Sequence, residues 1–171
     1  MMRKDKPSGN RFWRSDDGFT LIELLMVVII LGILAAVVIP QFSSSSDDAK
    51  ISALKSNLNT IRGALELYQV QHSGKYPDPN NFVTTLTQYT DQNGNVSATK
   101  DSTYKYGPYL KQGFPQNPFP QDPTKADQVL IDKDTATIGT VTATAAADGP
   151  GWKYVAQTGE FIANHPDYDQ Y

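Results

Sequence analysis

One uninterrupted apolar run dominates the pattern of this chain. From Phe19 to Phe42 every residue is apolar or uncharged except Glu23. As a helix rising about 1.5 Å per residue, the run reaches roughly 36 Å, enough to cross a hydrocarbon core of about 30 Å. Enclosure of such a helix in a soluble core is the alternative, but the rest of this polar chain lacks the apolar surface to surround a helix that is hydrophobic on every side. A cleaved secretory signal also fits less well, since the run exceeds the roughly 7 to 15 residues of a signal core, and residues 40–46 hold no clean small-x-small cleavage site. The pattern predicts a spanning helix over residues 19–42, kinked at Pro40, where a backbone hydrogen bond is lost.

After a weak helix-forming stretch at residues 43–46, the period becomes amphipathic. Ile51, Leu54, Leu58, Ile61, Leu65 and Tyr68 recur at intervals of three and four, one apolar stripe on a helix. Gly63 within it either weakens the helix or permits close packing. Ser73-Gly74 supplies a carboxy-terminal cap and Pro77 prevents resumption, so the helix is expected over about residues 19–72. Asp78 reads as the N-cap of a second, short helix with Pro79 at its first position and Phe82, Leu86 and Tyr89 on its apolar face.

Residues 91–103 form a polar loop around Asn93-Gly94-Asn95. The prolines between Pro115 and Pro123 exclude a helix or a central strand and favour an extended segment, anchored by Phe114 and Phe119; a polyproline ligand for another protein is the alternative. Val129–Ile131 and the threonine-rich residues 136–145 favour strands. Residues 152–157 and 160–163 alternate about Thr158-Gly159 as a hairpin, and the polar tail from Asn164 to Tyr171 is expected at the surface. The predicted class is α+β, a long amino-terminal helix packed on a small antiparallel sheet.

Composition narrows the function classes. The 171 residues have a formal net charge of -3, with no basic face suited to nucleic acid, and there is no cysteine. Arg3, Lys4, Lys6, Arg11 and Arg14 precede the apolar run, whereas Lys50 and Lys55 share the region after it with Asp47 and Asp48. The positive-inside bias puts the amino terminus in the cytoplasm and the body outside. His72 and His165 are the only histidines. Neither joins a nucleophile, a metal pair or a phosphate loop, and His72 near a helix end reads as a solvated cap or dipole partner, so no enzyme is expected.

Glu23 adds a hypothesis about assembly. A charge at the centre of a membrane helix costs on the order of 2.5 to 3.5 kcal/mol. Near the end of a span the carboxylate can snorkel toward the interface; the alternative is a cationic partner in the bilayer or in a bundle of such helices.

Gly18-Phe19-Thr20-Leu21-Ile22-Glu23, followed by this run and by Pro40, resembles the class III signal of type IV pilins and of type II secretion pseudopilins. The ending Gly74-Lys75-Tyr76-Pro77 also resembles the pseudopilin group, as does Tyr109-Leu110-Lys111 followed by Pro115, Asn117, Pro118 and Phe119. The resemblance implies a leader, residues 1–18, removed by a prepilin peptidase between Gly18 and Phe19, with Phe19 then N-methylated. It implies a filament-core helix at 19–42, a pilin-like lollipop with the globular domain in residues 43–171, and a pairing of Glu23 with the Phe19 amine of a neighbouring subunit. Asp16 and Asp17 stand where the family more often has basic residues.

The implied function is that of a structural subunit of a type II secretion pseudopilus, which helps move folded proteins across an outer membrane. A type IV pilus subunit, for adhesion, motility or DNA uptake, is the runner-up; a non-polymerising membrane-anchored binding domain is the reading from another class. The implied partners are the prepilin peptidase, further copies and other pilin-like subunits, and an inner-membrane assembly platform, with the inner membrane holding the chain before assembly and the body periplasmic. No nucleic acid and no cofactor are expected. Calcium is the one ligand left open: the family's acidic, glycine-rich calcium loop is not reproduced in residues 122–148, and Asp132-Lys133-Asp134 lacks the glycine and bidentate glutamate of an EF-hand.

Overall fold

A computed structural model describes residues 18–144, 146 and 148–171, with the side chains of residues 37–45 outside the description. The leader expectation falls on residues 1–17 and lies outside the described residues. The chain divides into two compact units, residues 1–44 and 45–171. Helix α1 spans Leu21–Gln71. Its assignment continues through residue 40 and through 43–46, so neither the proline nor the serines end it.

In the second unit the amphipathic stripe is the core-facing side of α1. Leu54, Leu58, Ile61, Leu65 and Tyr68 are buried, as the three-and-four spacing requires. Gly63 is exposed, and an added Cβ there would meet nothing; it marks no close packing. The helix stops because Ser73 and Gly74 both adopt positive φ, 58° and 83°, and the Gly74 N–H closes on the Gln69 carbonyl at 2.8 Å.

Asp78 caps the next turn as expected, accepting the Asn80 N–H at 2.9 Å. The cap opens a 3-10 turn, Pro79–Asn81, before helix α2, Phe82–Thr87. Phe82 and Leu86 are buried on its inner face. Tyr89, expected on that face, instead belongs to strand β1, Tyr89–Thr90, because the helix closes at Gln88, whose backbone is extended. Strand β1 pairs antiparallel with β2, Val96–Ser97, across the Asn93-Gly94-Asn95 loop.

A second sheet has the order β3-β4-β5, from Val129–Asp132, Trp152–Val155 and Phe161–Ala163. The β4-β5 hairpin is antiparallel, as its alternation predicts, whereas β3 runs parallel to β4. A parallel pair needs a long crossover, supplied here by residues 133–151. The threonine-rich part of that crossover, residues 136–144, forms no strand. Its backbone groups are satisfied by side chains instead: Gly139 N–H on Glu160, Ala143 N–H on Asp169, Thr144 N–H on Asn164, and the Thr142 carbonyl on Lys153. With Ile138 three-quarters exposed, threonine's strand preference has no packed face to act on.

The proline-rich segment is extended and pinned. Phe114 meets Phe82 and Phe161 edge-on, each at 6.1 Å between ring centroids. The buried Asn117 gives its N–H to the Ala126 carbonyl at 2.9 Å and its side-chain amide to the Gly151 carbonyl, and its Oδ1 accepts the Phe119 N–H at 2.8 Å. The carboxy-terminal tail is more firmly held than its polarity predicts. Tyr168 stacks on Phe119 at 4.1 Å, Arg62 donates to the Tyr171 carbonyl at 2.6 Å, and Lys55 lies over the Tyr171 ring at 4.5 Å.

Candidate functional site

Gly18, Phe19 and Glu23, three of the residues that the sequence singles out, gather at the start of α1. Gly18 and Phe19 precede the helix, and Phe19 is 81% exposed. Glu23 is the third helical residue and closes a capping box with Thr20. Its Oε2 accepts the Thr20 N–H and the Thr20 hydroxyl, both at 2.8 Å, while the Glu23 N–H reaches back to Thr20 Oγ1 at 3.3 Å. Thr20 is the functional residue that sequence reasoning passes over, although its signal is legible: a threonine three residues before a glutamate at the start of an apolar helix. Both bonds to the carboxylate fall on one oxygen, so the group retains acceptor capacity for a further donor.

Every large apolar side chain from Leu21 to Leu34 is more than half exposed. Water does not tolerate an apolar surface of that extent; it calls for lipid or protein to cover it. Among the described residues no helix is long and apolar enough to cross a membrane; the described side chains of the run end at Ala36. The side chain of Pro40 lies outside the described residues, so its assembly role is not located.

The remaining candidates resolve into structural parts. His72, expected as a solvated cap, is buried at 1% exposure. Its Nδ1 lies 2.9 Å from the Tyr68 carbonyl oxygen, its Nε2 2.9 Å from that of Asp91, and its ring stacks on Tyr68 at 3.8 Å. It joins the end of α1 to the β1-β2 hairpin because it stands four residues after Tyr68 on the buried face, its N–H still bonded to the Tyr68 carbonyl at 2.9 Å. His165 is near the surface beside Asp167, at 3.9 Å.

Asp132, considered as a cation ligand, lies among donors of its own chain. Its carboxylate accepts the N–H groups of Asp134 and Thr135, each at 3.0 Å, and the Thr135 hydroxyl, and lies 3.1 Å from Lys153 Nζ. The Thr135 N–H holds the carboxyl well below the usual aspartate range against the opposing effect of burial, with Lys153 adding to it. Asp91 is held low in the same direction: burial raises it, but the Asn95 amide and the N–H groups of Asn95, Asn93 and Gly94 outweigh that effect.

Acid sensitivity is set by the sign of these shifts. The folded protein binds these protons less readily than the unfolded chain, so the stabilisation is complete above the unfolded carboxyl value of about 3.9 and fades as pH falls below it. Stability measured by urea unfolding should fall as pH drops from about 5 toward 2, and the Asp132→Asn variant should be less stable at neutral pH but show a shallower acid slope. An unchanged slope in that variant would refute the assignment to Asp132.

Comparisons with known proteins match this picture. The chain fits the model of the prokaryotic N-terminal methylation motif over residues 13–39 and that of type II secretion system protein G over residues 41–126. The type II secretion system core protein G of Vibrio cholerae is 32% identical over 142 residues, covering 80% of this chain and 84% of that protein. Its counterpart in Pseudomonas aeruginosa is 48% identical over 59 residues, 34% of this chain and 42% of that one. The type IV major fimbrial protein FimA of Dichelobacter nodosus is 37% identical over 86 residues, 50% of this chain and 52% of that protein. No solved structure matches significantly. With a capped apolar helix at its amino terminus and the α+β body behind the second match, the chain belongs to the type II secretion system protein G family, the major pseudopilins.

Proposed function

We propose that this chain is a structural subunit of a type II secretion pseudopilus, made as a precursor and polymerised through its amino-terminal helix. The carrying observation is the exposed apolar surface of residues 19–34, interrupted by one carboxylate. Such a surface is stable only in lipid or against other such helices, and a carboxylate in it favours the second state once a cation meets it. In this reading the prepilin peptidase cuts between Gly18 and Phe19 and Phe19 is N-methylated. Residues 19–42 hold the precursor in the inner membrane as a single span, with the leader cytoplasmic and residues 43–171 periplasmic.

An assembly platform in the inner membrane then moves the subunit into the filament, beside further copies and other pilin-like subunits. Pro40 softens the helix for that transfer. The role is architectural and not enzymatic, and no cofactor is assigned to the body. The similarity to a fimbrial protein supports a type IV pilus subunit as the second reading.

Processing is tested by intact-mass analysis of the protein from its membrane fraction. The expected chain starts at methylated Phe19; one that still starts at Met1 or Met2 defeats the processing claim. Deletion of the gene should abolish export of folded proteins and leave surface pili intact, and the reverse pair of phenotypes selects the pilus reading.

A further inference from the structure

The loop between β1 and β2 contains an asparagine followed by a glycine, and the structure sets the two under opposite constraints. Gly94 is required by the fold. Its φ is +89°, and a Cβ there would lie 2.6 Å from the Tyr68 hydroxyl oxygen. Asn93 is not required in the same way. Its N–H is used, bonded to Asp91 Oδ1 at 2.8 Å, but its carboxamide is exposed and makes no hydrogen bond among the described residues. Glycine leaves its own backbone nitrogen unshielded by any side chain. That nitrogen donates to the Asp91 carbonyl at 3.2 Å, longer than the 2.8 Å of Asn93 and the 2.9 Å of Asn95 to the Asp91 carboxylate, and it also faces that carboxylate.

We propose that Asn93-Gly94 is a site of spontaneous covalent modification in the folded body. The Gly94 backbone nitrogen attacks the Asn93 side-chain carbonyl carbon, forming a C–N bond and closing a five-membered imide. The bond from that carbon to Nδ2 breaks, and Nδ2 leaves as ammonia with the proton that the Gly94 nitrogen gives up. One water molecule then opens the imide at either carbonyl, giving aspartate or isoaspartate at position 93. No oxidation or reduction takes place, and water is the only co-reactant.

The surroundings give the reaction a consequence. A carboxylate at position 93 stands two residues from the Asp91 carboxylate, which already gathers the local N–H donors. Isoaspartate also inserts a backbone carbon between position 93 and Gly94, in a loop whose turn depends on the Gly94 φ of +89°. The strain reaches the Asp91 carbonyl that meets His72 at 2.9 Å, and through it the end of α1. The chain thus carries a slow chemical mark of age at the tip of this hairpin.

The test is incubation of the folded full-length protein in detergent at mildly alkaline pH, followed by peptide mapping with resolution of aspartate from isoaspartate. Conversion is expected at Asn93, with both products present and Asn95 and Asn117 unchanged. The conversion should be lost in Asn93→Gln and in Asn93→Ser, which leave Gly94 in place. Absence of conversion in the folded protein while the same chain in denaturant converts would overturn the proposal, because the fold would then be protecting the site. A conversion signal that persists in both variants would overturn it equally, by placing the chemistry elsewhere.

Discussion

Trp152→Ala is expected to cost about 3 to 5 kcal/mol of stability. Trp152 is fully buried in the central strand β4, 5.4 Å from the Phe161 ring between centroids, and its indole Nε1 donates to the Pro115 carbonyl at 2.9 Å. Truncation removes the largest side chain of the core, leaves a cavity between the sheet and the proline-rich segment, and deprives the Pro115 carbonyl of its donor. Domains of this size are stable by roughly 5 to 15 kcal/mol, so the loss is a large part of the whole. Urea unfolding of the full chain in detergent, followed by far-ultraviolet circular dichroism, gives the measurement. Trp152→Phe, which keeps the ring contact but not the donor, should retain more than half of the lost stability. A cost below about 1 kcal/mol for the alanine variant would contradict the packing described.

Glu23→Ala should leave the body folded and reduce filament yield by at least about tenfold, since a carboxylate among apolar helices is matched only by a cation. The capping box with Thr20 needs an acceptor, whereas the proposed pairing with a Phe19 amine needs a charge, so substitution can tell the two apart. Glutamine satisfies a capping box. Glu23→Gln should therefore preserve the helix start and still fail to assemble, and Thr20→Val should weaken the cap while leaving the charge. Filament yield read by electron microscopy, with membrane levels of the subunit as the control, decides between them. Normal filaments from Glu23→Gln would remove the charge-pairing role and leave Glu23 as a cap alone.

The features legible in the sequence are those set by local spacing. The stripe from Leu54 to Tyr68 names the buried side of α1, Ser73-Gly74 its end, and Asp78 the cap of the next turn, because each depends on residues within a few positions. Glu23 stands out as the one charge in an apolar run. Thr20 is within reach of the same local reasoning. The non-local features are not. Residues 136–144 carry strand-forming threonines, yet their partners are Glu160, Lys153, Asp169 and Asn164, side chains brought near only by folding. The tail behaves likewise: its aromatic residues Tyr168 and Tyr171 find Phe119 and Lys55, both far away along the chain.

By itself the sequence determined the apolar amino-terminal helix with its lone carboxylate, the amphipathic continuation and the turns that end it. Helical periodicity and backbone capping are properties of short segments, and they read directly from residue order. The tertiary structure decided the parallel pairing of β3 with β4, the meeting of His72 with the Asp91 carbonyl, and the pairing of Asp132 with Lys153. Each of these depends on which distant group arrives to satisfy a backbone donor or a buried charge. No spacing along the chain encodes that arrival; it is set by how the core closes around Trp152, Tyr154 and Phe161.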